Sequence, residues 1–533
     1  MRWLQIGLKR LSDEALMRIA IWLTLLLCAA FGFIVACPAI PLGVVGEWVL
    51  ERKLASLSSC IPMMLAVVLI IFIAWRLVSS YPKSIGYSVF AHMLLFIPFI
   101  MLKLAAQMAE PPHRNPISFA TYIAVSPIAT SYFTAARDAE REGWLNVLQG
   151  YDEFMRRQPV HAATHPPGML MLYSLIRVTT YNSSWLQHMA YDVLGGRWMI
   201  YDHIYIVRRL LGISVEPWEL AAAFLSSALM LFMGALALPF VIYGALMLSN
   251  CALGNAPNAN APSCDICACR VWLSGAFAAM LYSFSPGQLA YGISPDQALT
   301  FISAVGAVCI CVWMIKPEFK FALALCGVVS FVGVICSFKF LPVVGVWVIW
   351  IVGAIWCASS NDAWNVISKA IKSLLWLVIP MLSLALLFAI LFNFDWLSAF
   401  SVAMRAHSEQ AASATRTYWK WAIVNLIEFG ISLGPATVAL LKICFLRSIT
   451  RMNLMSFLPS LSSAAIILLL DVFGVVRGEV SRIWLPFMPM LIIGVASGAN
   501  FYSHWHLPFI ILSASQAAIG ILVRAMVDSV RPW

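Results

Sequence analysis

The stretch LLWLVIPMLSLALLFAILF, from Leu374 to Phe392, runs for 19 residues without a charged side chain. About 20 apolar residues in helical form cover the roughly 30 Å hydrocarbon core of a bilayer, so this stretch reads as a transmembrane helix. Comparable stretches begin near Met17, Ile61, Ile85, Leu220, Val271, Gln297, Phe321, Leu341, Trp421, Leu454, Ile483 and Leu507, and a shorter one follows His165. Composition agrees. Of the 533 residues, 62% are hydrophobic and 11% charged, against about 25% charged in a soluble domain. A soluble globule of this length would lack the polar surface to wet itself. The 21 Trp and 15 Tyr suit the aromatic belts of bilayer interfaces. The fold class expected is an all-α, polytopic transmembrane bundle of about 12–14 spans, one integral membrane domain over residues 1–533. The expected location is the cell (inner) membrane, multi-pass, with membrane lipids as partners.

The net charge of +10 has no dense Lys/Arg cluster behind it, so it is assigned to loops and anionic head groups and not to nucleic acid. Residues Met1 to Arg18 resemble a signal peptide, but no small-residue cleavage site follows, and a retained first helix is expected. Two hydrophilic regions interrupt the spans: residues 108–218, rich in Tyr, Trp and helix formers, and residues 395–420, which carry Arg405, His407, Glu409, Arg416 and Tyr418. The basic tail before Met17 puts the N-terminus in the cytoplasm, so the first region emerges outside after three spans. If the stretch after His165 is interfacial, Lys316–Lys320, Lys369–Lys372 and Arg447–Arg451 fall inside, as the positive-inside rule prefers. Asp296, residues 395–420 and Arg477–Arg482 then fall outside, beside His165. This count is adopted.

The most specific motif is His161-Ala-Ala-Thr-His165-Pro166-Pro167-Gly168. Proline fits the first turn of a helix, so the pair sets a helix start with His165 at its mouth. Upstream lie Ser131-Tyr132-Phe-Thr-Ala-Ala-Arg-Asp138 and Tyr151-Asp152-Glu-Phe-Met-Arg-Arg157. Downstream, Ser294-Pro295-Asp296-Gln297 opens a span, and Arg477-Gly-Glu479-Val-Ser-Arg482 precedes another.

In this order the motifs resemble the GT-C superfamily of polytopic glycosyltransferases, which includes the protein O-mannosyltransferases. The resemblance implies a large helical first external loop followed by a His-Pro-Pro helix start. It also implies transfer of a sugar from a polyprenyl-phosphate donor to an acceptor on the external face. Asp138, Asp152 and His165 are the candidates for catalysis. Substrate binding is expected from His161, Asp296, Arg477, Glu479 and Arg482, the arginines suiting a phosphate because their planar fork donates two hydrogen bonds and keeps its charge. One departure stands out. Where the superfamily carries an acidic residue before its Tyr-rich helix, this chain reads Ser126-Pro-Ile-Ala-Thr130-Ser131. A transporter or flippase for a lipid-linked or hydrophilic substrate, and a non-catalytic member of the same fold, stay open as alternatives. A transporter finds no support in an internal repeat.

Two further features concern buried acids and clustered cysteines. Asp471 lies deep in a span, where pairing with Arg477 or Arg482 would offset its cost, while Glu428 is either a buried hydrogen-bond partner or part of a substrate path. Cys251, Cys264, Cys267 and Cys269 include the C-x2-C spacing of zinc sites, but the following C-x-C suits four ligands poorly, so neither a metal nor a disulfide is assigned. No cofactor is implied by the residues.

Overall fold

The computed structural model describes residues 13–79, 90–254, 264–358, 363–413, 416–448, 454–499 and 506–528. Among them, nine helices are long and apolar enough to cross a membrane, the longest being Pro217–Cys251 and Ala363–Phe392. The protein is a multi-pass membrane protein. The helix Ala363–Phe392 contains the uncharged stretch and buries few side chains against the protein, as expected of a helix bathed in lipid.

The bent pair Tyr418–Leu433 and Pro435–Arg447, kinked by 106°, has the length and apolar character of a tenth span when taken as one. Gly434 sits at the kink with φ +88°, a conformation that glycine adopts without steric cost. The break frees backbone groups that lipid cannot satisfy, and Gln516 from another span takes them. Its Nε2 donates to the Leu433 carbonyl at 2.6 Å, and its Oε1 accepts from the Ala436 N–H at 3.1 Å.

Three shorter apolar helices, Val271–Ser283, Phe321–Cys336 and Leu485–Gly498, complete the alternation of ends. Cys251 reaches the Met314 carbonyl at 3.9 Å, so the helices Pro217–Cys251 and Asp296–Ile315 finish together at the far end of the bundle. Val271–Ser283 must then return the chain to Asp296. Phe321–Cys336 does the same, because Lys339, three residues later, pairs with Asp296. Among the described residues nine helices, or ten with the bent pair as one span, are long and apolar enough to cross, and these three shorter apolar helices lie among them.

The loops that the adopted count places outside gather at one end. The Glu47 carboxylate accepts from the Thr417 N–H at 2.7 Å, Lys53 pairs with Glu110 at 2.6 Å, and Arg114 pairs with Asp528 at 3.1 Å. Tyr151 packs on Phe394 with ring centroids 5.5 Å apart, and His407 reaches the Val475 carbonyl at 2.8 Å. A small antiparallel sheet, absent from the sequence reading, joins Leu42–Val44, Trp48–Arg52 and Val527–Asp528 at the same end.

Residues 108–218 fold as a helical cap running from Pro116–Val125 to Arg197–Leu211. The stretch after His165 becomes the helix Gly168–Tyr181, 14 residues long, which stays in the cap. Its Arg177, 2% exposed, pairs with Glu140 at 3.1 Å and Glu219 at 2.9 Å, and stacks over Phe133 and Trp218. That buried charge ties the cap to the start of the long span. Residues 395–420 carry the helix Trp396–Ser413, laid against the helix Tyr151–Arg157. The Cys251 thiol lies by the Met314 carbonyl, and the side chains of Cys264 and Cys267 lie outside the described residues.

Gly168 decides how closely the cap approaches the bundle. A Cβ there would meet the Ile335 carbonyl oxygen at 2.5 Å, and backbone cannot swing aside as a side-chain tip can. Gly168→Ala should therefore lower stability by about 1–3 kcal/mol, the usual cost of overpacking. Thermal unfolding in detergent measures it, with Gly345→Ala as the control, where the new Cβ meets only an Ile466 methyl at 3.5 Å.

Candidate functional site

Asp296 begins the helix Asp296–Ile315, with Pro295 as its N-cap. A carboxylate there is favoured by the helix dipole. Its Oδ2 accepts from the Ser294 hydroxyl at 2.8 Å and lies 3.7 Å from Arg482 Nε, while Oδ1 pairs with Lys339. Asp296 is buried, so the two cations offset a desolvation cost of several kcal/mol per ion. Arg482 continues the chain of charges. Its Nη2 donates to Glu479 at 2.8 Å, and Glu479 in turn lies 3.9 Å from Arg416.

The local backbone explains why Glu479 points into this cluster. Gly478 and Glu479 both have positive φ, +91° and +57°. The turn is pinned from the helix Tyr418–Leu433: Asn425 Oδ1 accepts from the Gly478 N–H at 3.0 Å, and Glu428 Oε1 accepts from the Ser481 N–H at 3.0 Å. Non-glycine residues at positive φ are uncommon and concentrate at functional sites.

The His-Pro-Pro segment supplies the opposite wall. The Ser131 hydroxyl accepts from the Ala162 N–H at 2.9 Å, and Tyr151 Oη donates to the His165 carbonyl at 3.0 Å. The His165 ring lies 5.5 Å from that of Tyr132. Burial, then the positive charge of Lys339, hold the His165 imidazole well below its ordinary pKa. His161 is lowered in the same way by burial and by Arg482. Burial alone would raise the Glu479 carboxyl, but Arg482 and the other cations beside it leave it lowered. The cluster thus holds neutral imidazoles beside ionised carboxylates and cations. His165 Nδ1 is enclosed without a hydrogen-bond partner among the described residues, a defect that native structures rarely leave unused.

An apolar cavity of about 170 Å³ adjoins the charged cluster. Its walls come from the end of the helix Asp13–Ala36, the hairpin around Leu42 and the helix Tyr418–Leu433. Tyr291, Glu428, Ser432 and Ser481 are its polar margin, and Ser481 precedes Arg482 in the chain.

The structure brings His161, His165, Asp296, Glu479 and Arg482 together and leaves three candidates apart. Asp138 is half-buried on the helix Tyr132–Glu142 and makes no ion pair or hydrogen bond among the described residues. Asp152 lies 3.8 Å from Arg156 on the outer side of its helix. Arg477 donates to the Arg416 carbonyl, accepts at its own carbonyl from the Arg416 guanidinium, and lies over the Tyr418 ring. The arginine partner expected for Asp471 is corrected: its carboxylate accepts from Asn425 Nδ2 at 2.9 Å, a neutral partner that the same helix supplies without a second buried ion. Glu428 is a hydrogen-bond partner that also lines the cavity. Lys339 is not among the sequence candidates, although it is the lone cation between the apolar runs Phe321–Cys336 and Leu341–Ala358. Arg416 enters the sequence reading only as one of several polar residues of the 395–420 loop.

No family model matches this chain, no curated protein matches it in sequence, and no solved structure matches it significantly.

The neutral histidines make stability depend on pH. A histidine whose folded pKa is depressed binds fewer protons folded than unfolded, so its contribution is full above the unfolded value of 6.5 and falls as acid is added. Between about pH 7.5 and 5.5 the unfolding temperature should fall, and His161→Gln with His165→Gln should flatten that slope. Glu479 acts in the same direction only nearer its ordinary value of 4.5, below this window. Thermal scans in detergent at several pH values provide the measurement.

Proposed function

We propose that the protein is a GT-C-like membrane glycosyltransferase that moves a sugar from a polyprenyl-phosphate donor to an acceptor on the external face. The observation that carries this reading is the meeting of His165, Asp296, Lys339, Glu479 and Arg482 at one end of the bundle. A lipid-linked phosphate needs cations for its phosphate and an apolar neighbourhood for its chain. Lys339, Arg416 and Arg482 are the cations that a phosphate could meet here, with Asp296 and Glu479 set between them. The two carboxylates fix where the guanidinium and ammonium groups point, and preorganised donors of this kind stabilise charge as it develops on a leaving phosphate.

Of the three base candidates, His165 is the one inside the cluster. Its neutral imidazole can take a proton, and a bound phosphate would oppose the Lys339 and Arg482 fields that depress its basicity. Positioned proton transfer contributes about 10²–10⁴-fold in rate. The location in an inner membrane belongs to the same reading.

Incubating membranes with labelled polyprenyl-phosphate sugars tests the proposal. Arg482→Ala should weaken donor binding about tenfold or more, because a charge-assisted contact to phosphate is lost, and Arg482→Lys should recover part of it. His165→Gln should lower turnover with donor binding nearly intact, since a base acts mainly in the transition state. Asp138→Asn and Asp152→Asn should stay near wild type. A wild-type protein that consumes no donor from a panel of sugars would reject the transferase reading.

A further inference from the structure

We propose that the apolar cavity beside the cluster binds a membrane lipid with a neutral hydroxyl head, recognised by Glu428; its role as the sugar acceptor rests on the transferase reading, whereas its binding does not. The cavity is comparable with the roughly 150 Å³ that accepts a benzene-sized apolar ligand. Ile34, Val424, Ile427, Ile431 and Val523 give it walls suited to an alkyl chain. Glu428 breaks that pattern. It stands on the membrane helix Tyr418–Leu433, among Val424, Ile427 and Ile431, where a carboxylate is costly and calls for a function.

The hydrogen bonding of Glu428 is half complete. Oε1 accepts from the Ser481 N–H at 3.0 Å, and Oε2 has no protein donor among the described residues. The open oxygen belongs to a residue that lines the cavity, so the missing donor is expected on the ligand. Charge selects the kind of head. A phosphate at Glu428 would face a carboxylate, and a cationic amine would meet the neighbouring Arg416 guanidinium. A hydroxyl escapes both penalties and donates the hydrogen bond that Glu428 lacks. Through Ser481 the same margin touches Arg482, so the head would sit next to the cations proposed for the donor phosphate. The chain of the donor would then lie elsewhere on the apolar surface.

The test uses the purified full-length protein in detergent, with radiolabelled farnesol and farnesyl phosphate as probes in equilibrium binding. Farnesol should bind the wild type, Glu428→Ala should weaken it about tenfold or more, and Ile431→Trp should abolish it by filling the cavity. Val424→Trp, on the same wall, serves if Ile431→Trp fails to give a monodisperse protein. Farnesyl phosphate binding should ignore Glu428→Ala and respond to Arg482→Ala. Farnesol binding that survives the filled cavity, or that ignores Glu428→Ala, overturns the proposal. So does farnesyl phosphate that is displaced by Ile431→Trp and improved by Glu428→Ala. Failure of the transferase reading looks different: the wild type turns over no donor, whatever these binding curves show.

Discussion

Asp296 holds three distant parts of the chain together. Its carboxylate stands at the start of one span, Lys339 follows another, and Arg482 precedes a third. Each of these charges would be expensive alone in a poorly hydrated place, and each becomes tolerable only when the other two are present. Glu479 and Arg416 extend the same balance outward. The helix ends are thereby fixed relative to one another, and the cap must close over them with His165 in place. Removing Asp296 would leave two cations facing each other, a larger disturbance than losing one hydrogen bond.

The same principle governs the other polar joints of the bundle. Arg177 is matched by two carboxylates, Glu110 by Lys53 and Arg524, and the Glu47 carboxylate by donors on Thr417, Lys420 and Trp421. All of them lie at the end where the loops meet. Deeper in the bundle the partners are amides: Gln516 repairs the kink at Gly434, and Lys103 donates to the side-chain oxygens of Gln288 and Gln297. Every one of these buried polar groups is met by another, because lipid and packed apolar side chains offer it nothing.

The place before Tyr132, where the GT-C resemblance expects an acidic residue, is occupied by Ser131 in a left-handed conformation. Its hydroxyl is committed to the Ala162 N–H, so this position builds the cap and contributes no carboxylate. Negative charge reaches the site from Asp296 and Glu479 instead. The carboxylates of the cluster thus come from other segments of the chain.

Hydropathy by itself determined the class, because no arrangement of so apolar a chain can avoid lipid, and the run of basic loops determined which loops share a side. The prolines at 166, 167 and 295 marked helix starts, since their φ is fixed whatever surrounds them. The motif resemblance, and not hydropathy, made His161, His165, Asp296, Glu479 and Arg482 candidates. What the sequence could not decide was the direction in which a side chain faces and what it meets. Asp138 follows Tyr132 closely in the chain, yet the buried face of its helix runs through Tyr132, Phe133, Ala136 and Ala139 and leaves it half-exposed. Lys339 and Arg416 carry nothing distinctive locally, and only the return of their helices to Asp296 and Glu479 brings them in. Asp471 found Asn425 and not an arginine, because a helix neighbour is chosen by packing. Local propensity and hydropathy are properties of the chain, whereas a buried charge acquires its partner only when distant segments are packed against each other.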